Sequence, residues 1–301
     1  MNMNDSLNSG EINQRKKNVA ALSVISNSVL VVFKLIAGIS IGSIGIISEA
    51  IHSGIDLIAS GIAFISVKKS GMPPDKCHAY GHGKYEDISG MAEALLIFAA
   101  AGIILWEALQ KLVFGGELLS EEFLTVGIIV MLISACANWI VSSRLFKVAD
   151  ETGSIALESD GWHLRTDVYT SLGVFSGLIL IKITGLEIID PLIAVGISLI
   201  IIHTAYGLVK RSFWDLTDKS LPPEDAREIE NIILQYCGES CSYARIRTRK
   251  SGPDRHVEFD LIVPPDMDVV SAHALTEKIE EHFYRHYGQI YVTIHIEPDK
   301  R

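Results

Sequence analysis

Two segments of this 301-residue chain repeat one spacing, a histidine followed four residues later by an aspartate. The first pair is His52 and Asp56, within IISEAIHSGIDLIASG; the second is His163 and Asp167, within SDGWHLRTDVYTSLG. On a helix of about 3.6 residues per turn, that spacing puts imidazole and carboxylate on one face, one turn apart. Two such faces turned toward each other offer two nitrogens and two carboxylates, the ligand number and type of a tetrahedral zinc-like centre. One pair alone reads equally well as a polar contact between helices, whereas two identical pairs favour a metal centre. No His-Glu-x-x-His occurs in the chain, so an intramembrane metalloprotease lacks its motif, and the chain is read as a non-enzyme.

The elements that must position these residues are apolar. Hydrophobic residues make up 49% of the chain and charged ones 21%, with a mean hydropathy of +0.31; ordinary soluble domains are about a quarter charged. Six apolar runs, about 19–41, 44–67, 88–112, 123–145, 162–183 and 188–209, approach or exceed the roughly 20 residues that cross a bilayer core as helix. An aspartate at mid-bilayer costs about 2.5–3.5 kcal/mol, so one that persists there faces a partner or a cavity. At about 1.5 Å per residue, Asp56 lies roughly 18 Å and Asp167 roughly 24 Å from the outer ends of their spans. They differ by about one turn, which permits a shared site.

The net charge of −10 becomes informative when split by connection. Arg15, Lys16 and Lys17 precede the first span, Lys68, Lys69, Lys76 and Lys84 lie between the second and third, Arg144 and Lys147 follow the fourth, and Lys210 and Arg211 follow the sixth. The alternate connections, Gly42-Ser43, the acidic stretch around 117–122 and residues 184–187, are nearly free of basic residues. Excess Lys and Arg mark cytoplasmic loops, so both termini are expected in the cytoplasm. The expected organisation is an N-terminal cytoplasmic segment (1–18), a six-helix membrane domain (19–212) and a cytoplasmic domain (213–301). The polar N-terminus lacks an apolar core and a small-residue cleavage site, so no removable signal peptide is expected. Cys77, Cys136, Cys237 and Cys241 form no disulfide framework, which suits a reducing compartment.

Other polar residues fall within the spans. Lys34 is near mid-span and faces a carboxylate or a water-filled vestibule; Glu49 stands one turn before His52 and could guide released metal. Asn27, Glu93, Glu107, Asn138 and Asp190 receive no chemistry. Gly38, Gly42, Gly45, Gly54 and Gly61 suit close helix packing. In the last segment the pattern predicts a helix over 224–236, strands over 243–249 and 255–263, a helix over 269–287 and a strand over 290–296. That order suits helices on one face of an antiparallel sheet, with the other face open to a second copy. Arg245, Arg247 and Arg249 alternate along one strand, but so acidic a domain is a poor nucleic-acid binder; they read as a solvated face or a salt-bridge cluster. His256, His282 and His286 read as solvated.

The two His-x-x-x-Asp pairs, the stretch DKCHAYGHGKYE after the second span, the six spans with their ends on one side, and LTDKSLP opening the last domain together resemble the cation diffusion facilitator family, over about residues 15–299. The resemblance implies an α-helical membrane protein with six transmembrane helices plus a C-terminal cytoplasmic α+β metallochaperone-like (α-β-β-α-β) domain. It implies a homodimer, joined through that domain and the transmembrane helices, in the inner (plasma) membrane among its lipids, exporting a divalent ion in exchange for protons. The transport site it implies is His52, Asp56, His163 and Asp167, and a second, cytoplasmic loop site falls on Asp75, His78 and His82, with Cys77 adjacent. Further metal positions in the last domain map to Asp260, His273, His295 and Glu297, and an interlock between protomers maps to Lys84 and Asp218. The chain departs from some members where Ala244 replaces a histidine, and where Asp260 and Glu297 stand for His and Asp, so oxygen replaces nitrogen there. The segment VSSRLFKVADETGS holds no histidine, unlike many eukaryotic zinc members, which fits a bacterial type. Imidazole ligands suit Zn2+, then Fe2+ or Co2+, and all-carboxylate sites suit Mn2+; Zn2+ ranks first, with Cd2+ also admitted. A rival from another class is a membrane-anchored metal sensor or scaffold.

Overall fold

The computed structural model describes residues 9–41, 44–114, 121–186, 188–237 and 241–299. Gly42-Ser43, the acidic stretch up to residue 120, and Glu187 lie outside the described residues, as do residues 1–8. Six long helices come first: α1 (Ser9–Ile41), α2 (Ile44–Ser70), α3 (Lys84–Phe114), α4 (Glu121–Thr152), α5 (Ile155–Thr184) and α6 (Ile189–Leu216). Each is long and apolar enough to cross a membrane. Two compact units separate, one of residues 13–213 and the other chiefly of residues 214–301.

The helices run past the apolar spans at the end that holds residues 71–83. The connection expected over 146–161 is helical apart from Gly153 and Ser154. Arg144, Lys147 and Glu151 are no obstacle, since long charged side chains are good helix formers. Gly153 ends α4 at φ 65°, the left-handed conformation glycine adopts without steric cost. Ser154 then caps α5 by accepting from the Leu157 amide, satisfying one of the four orphan donors of a helix start.

Inside the membrane unit α5 packs on α2, α3 and α4. Leu145 and Val148 of α4 meet Leu157 and Leu164 of α5, with Ala20 of α1 and Val67 of α2 alongside. Ala94, Ile97 and Ala101 of α3 pack on Ile201, Ala205 and Leu208 of α6. Large apolar side chains such as Ile58, Ile103 and Ile200 point outward, as they must where the solvent is lipid. Of the glycines expected at close contacts, Gly38 fits: a Cβ there would come within 2.8 Å of Ile47. Gly54 and Gly61 do not, because a Cβ at either meets open space.

The second unit is α7 (Pro223–Cys237), β1 (Ser242–Ser251), β2 (Asp254–Val263), α8 (Val269–Tyr287) and β3 (Ile290–Pro298), the expected α-β-β-α-β order. The sheet runs β1-β2-β3. The first two strands are antiparallel, but β2 and β3 are parallel, with Phe259 opposite Ile294, so the sheet is mixed rather than antiparallel. The cause is α8: a 19-residue helix spans about 28 Å and returns the chain to the edge from which β2 began, the β-α-β crossover. Ile229, Ile233, Ile279 and Phe283 of the two helices pack on Val257, Phe259 and Leu261 of β2. His256, expected in solvent, is buried on that central strand and stacks on Tyr291 with centroids 5.0 Å apart.

Candidate metal centre

α2 presents His52 and Asp56, and α5 presents His163 and Asp167. Because these helices are neighbours, the two faces meet inside the bundle. His163 Nε2 lies 3.0 Å from Asp56 Oδ1, and His52 Nε2 lies 4.0 Å from the same oxygen. Asp56, His163 and Asp167 place ligand atoms within 4.8 Å of one another. His52 is outside that group, its side chain 54% exposed. The structure therefore assembles three of the four residues and leaves the fourth beside them. Two carboxylates with neutral imidazoles balance a divalent charge, and with His52 turned inward the donor count reaches the tetrahedral four.

Neighbours hold the carboxylates in place. Asn138 Nδ2 of α4 donates to Asp167 Oδ2 at 3.3 Å. Asn27 of α1 donates to Ser60 Oγ at 3.2 Å and to the Asp56 carbonyl at 3.5 Å. Such contacts fix the orientation of ligand-bearing residues. Arg165 turns away from the centre, stacking 3.8 Å above Trp139 and donating to Ser142 and Ser143.

A cavity of about 350 Å³ adjoins the centre, and His52, Asp56 and Asp167 share it with Lys34, Glu49 and Asp190. Lys34 faces a carboxylate in this vestibule, as expected from its depth: its Nζ is 3.2 Å from Glu49 Oε2 and 2.8 Å from Ser53 Oγ. Lys111 and Asp190 pair across the cavity at 3.4 Å. They belong to the end of the bundle where α3 stops and α6 starts.

Three polar features escape sequence reasoning. Lys16, expected only as one of three flanking basic residues, is fully buried and lies 2.7 Å from Glu86 Oε1. Ser70 and Ser154 also donate to Glu86, so α1, α2, α3 and the cap of α5 are tied at one carboxylate. Glu93 and Asp160 are buried, and among the described residues their carboxylate oxygens have no hydrogen-bond partner. Ser159 Oγ donates to the Gly90 carbonyl at 3.3 Å, joining the helices that carry them. Depth in a span is the one signal sequence offers for such residues; their partners depend on helix packing.

The connection 71–83 holds a second group. His78 Nδ1 is 3.4 Å and His82 Nε2 3.3 Å from the carboxylate oxygens of Asp75, and the three residues meet the same 4.8 Å ligand spacing. Asp75 Oδ1 accepts from the backbone amides of His78 at 2.6 Å and Cys77 at 2.8 Å, an Asx turn that shapes the loop. The His78 amide, with help from that of Cys77, holds Asp75 below the usual carboxylate range. Cys77 is exposed and outside the group.

The C-terminal candidates are arranged differently. Asp260 and His295 are register partners on β2 and β3, and His295 Nε2 is 3.6 Å from Glu297. Arg245 occupies the carboxylates: it donates to Asp260, and its Nη2 is 2.8 Å from Glu297. It reaches them from a bulge in β1 between Ala244 and Arg247, with a left-handed φ of 53°. His273 is not brought to them and sits 3.5 Å from Glu277 on its own helix. Arg247 pairs with Glu258, so the alternating arginines form salt bridges along the sheet. Lys84 opens α3, and Asp218, which follows α6, lies 3.4 Å from Arg249 Nη1.

Comparison with known proteins finds matches over most of the chain. The family profile described as "Cation efflux transmembrane domain" matches residues 20–217, and that described as "Cation efflux protein, cytoplasmic domain" matches residues 221–299. A protein of Synechocystis sp. named "Uncharacterized transporter sll1263" is 32% identical over 279 residues, 93% of this chain and 89% of that one. The "Cation-efflux pump FieF" of Citrobacter koseri is 28% identical over 93% of this chain and 91% of its own. "Metal tolerance protein C1" of Arabidopsis thaliana is 28% identical over 89% of this chain and 59% of that protein.

Proposed function

Because the chain belongs to the cation efflux, or cation diffusion facilitator, family and exports divalent metal cations, we propose that its cargo is Zn2+, taken from the cytoplasm and exchanged for protons. The observation that carries this is the grouping of Asp56, His163 and Asp167 within ligand spacing, with His52 4.0 Å from Asp56. Imidazole binds metal only when deprotonated. Metal and proton therefore compete at His52 and His163. Protonation on the outer side expels the ion, and release of that proton on the cytoplasmic side readies the centre for the next one.

The remaining groups take accessory roles. Asp75, His78 and His82 form a loop site. A weaker position at Asp260, His295 and Glu297 requires the metal to displace Arg245; His273 would have to come from elsewhere in an assembly. The protein works as a homodimer in the plasma membrane with both termini cytoplasmic, and Lys84 and Asp218 contribute to the interlock.

The test is Zn2+ flux into proteoliposomes with an imposed pH gradient. Wild type transports in proportion to the gradient. Asp167→Ala loses at least about 100-fold while still folding, since removing even a residue that orients a ligand costs 10–100-fold. Flux indifferent to the gradient removes the proton, and full activity in Asp167→Ala favours the sensor or scaffold instead.

A further inference from the structure

Lys34 has no place among the metal ligands, yet it sits beside them. It is 6% exposed, and its Nζ lies between Ser53 Oγ and Glu49 Oε2 of α2 at 2.8 Å and 3.2 Å. Ser53 follows His52 in sequence and precedes Asp56 by about one turn. Lys34, Glu49, Ser53, Asp56 and Asp167 line the same cavity, and the ammonium is within electrostatic reach of Asp167. A fixed positive charge in the same cavity as a divalent ion repels it and weakens its binding. Burying it in a membrane helix adds a cost that an alkyl side chain of the same length avoids. If the centre served only to hold metal, methionine at position 34 would serve it better.

The partner explains how the charge is kept in measure. Glu49 is half exposed to the cavity and neutralises Lys34, so together they add no net charge. Asp56 and Asp167 are then left to balance a divalent ion. The pair sits on the side of the centre toward the C-terminal end of α1 and the N-terminal end of α2.

We propose that Lys34 is a tethered cation that limits the affinity of the metal centre and so speeds release of the ion into the cavity, with Glu49 setting how much of that charge the centre feels. This rests on the metal centre proposed above. It makes Lys34 a positioning residue that acts on the ion through space, without touching it.

The experiment measures Zn2+ affinity by titration of the purified full chain and Zn2+ flux in proteoliposomes. Lys34→Met is expected to bind Zn2+ about tenfold more tightly and to show a lower maximal rate, because release slows. Glu49→Gln leaves the ammonium uncompensated and is expected to bind more weakly by a similar factor. The double variant brings affinity back toward wild type. A merely structural role, in which Lys34 ties α1 to α2, cannot give opposite shifts for the two single variants. Unchanged or weaker binding in Lys34→Met, or shifts of one sign in both, overturns the proposal. Should Lys34→Met fail to fold, the shift in Glu49→Gln decides alone: weaker binding supports the proposal, and unchanged or tighter binding overturns it. Asp167→Ala separates the two levels, since retained Zn2+ binding and flux in that variant removes the centre itself, whatever Lys34 does.

Discussion

Asp75 shows how one side chain can both build a loop and serve it. Its carboxylate accepts two backbone amides and lies within 3.4 Å of two imidazoles. Because its folded pKa is lowered, the stabilisation from those amide bonds is fully present above the ordinary aspartate range near 3.9. It is lost only as pH falls through the lowered value. Across pH 5–8 the carboxylate therefore keeps a constant charge. Asp75→Asn keeps an oxygen for the amides and deletes the charge. It is expected to weaken Zn2+ binding at the loop about tenfold, measured by Zn2+ titration in the Asp167→Ala chain. Unchanged binding would mean that the carboxylate shapes the loop without holding the metal. At this scale the grouping of Asp56 with His163 and Asp167, and of Asp75 with His78 and His82, was legible, because ligand chemistry restricts residue type and helix geometry restricts spacing. Lys16 with Glu86, and the buried carboxylates of Glu93 and Asp160, were not. Their partners, or lack of them, depend on which helices touch, and no local spacing records that.

Helix contacts set how the ligand-bearing faces meet, and α5 lies tight against α6 at Gly173. A Cβ there would come within 2.1 Å of Ile197 Cδ1 and 3.5 Å of Ile193 Cγ2, both on α6. Gly173 stands six residues from Asp167 and lines the same cavity, so widening this contact also disturbs the wall of the centre. Gly173→Val overpacks it and is expected to destabilise the chain by about 1–3 kcal/mol, read as a lower unfolding temperature in detergent. Ile197→Ala in the same chain makes room and recovers much of the loss; no recovery would mean that the glycine matters for backbone reasons instead. Helix number and approximate limits could be read from apolar runs, because bilayer thickness fixes length. Which glycines sit at contacts could not. Gly38 and Gly54 look alike in sequence, yet only Gly38 has a neighbouring backbone and side chain against it. The direction of β3 was equally hidden, since alternation of side chains is the same in parallel and antiparallel strands.

Across the whole chain, metal-binding capacity depends on which carboxylates are already satisfied. In the membrane centre and the loop, Asp56 and Asp75 lie against imidazoles, which stay as ligands when a metal displaces their protons. In the C-terminal unit the carboxylates of Asp260 and Glu297 are held by Arg245, a cation that has no proton to shed near neutral pH. On the proposed reading a metal has to expel the guanidinium to bind there, which ranks this position below the other two. Arg245→Gln leaves both carboxylates unpaired beside His295, whose Nε2 is 3.6 Å from Glu297. In a full-length chain whose centre is disabled by Asp167→Ala, that change is expected to tighten Zn2+ binding at the C-terminal unit about tenfold, seen as an additional ion retained per protomer in equilibrium dialysis. Adding His295→Ala should remove the gain, because two carboxylates without an imidazole offer no nitrogen donor to favour Zn2+ over harder ions. If Arg245→Gln retains no more zinc than its parent, the three side chains are a salt-bridge group of the sheet, and the metal sites belong to the membrane unit alone.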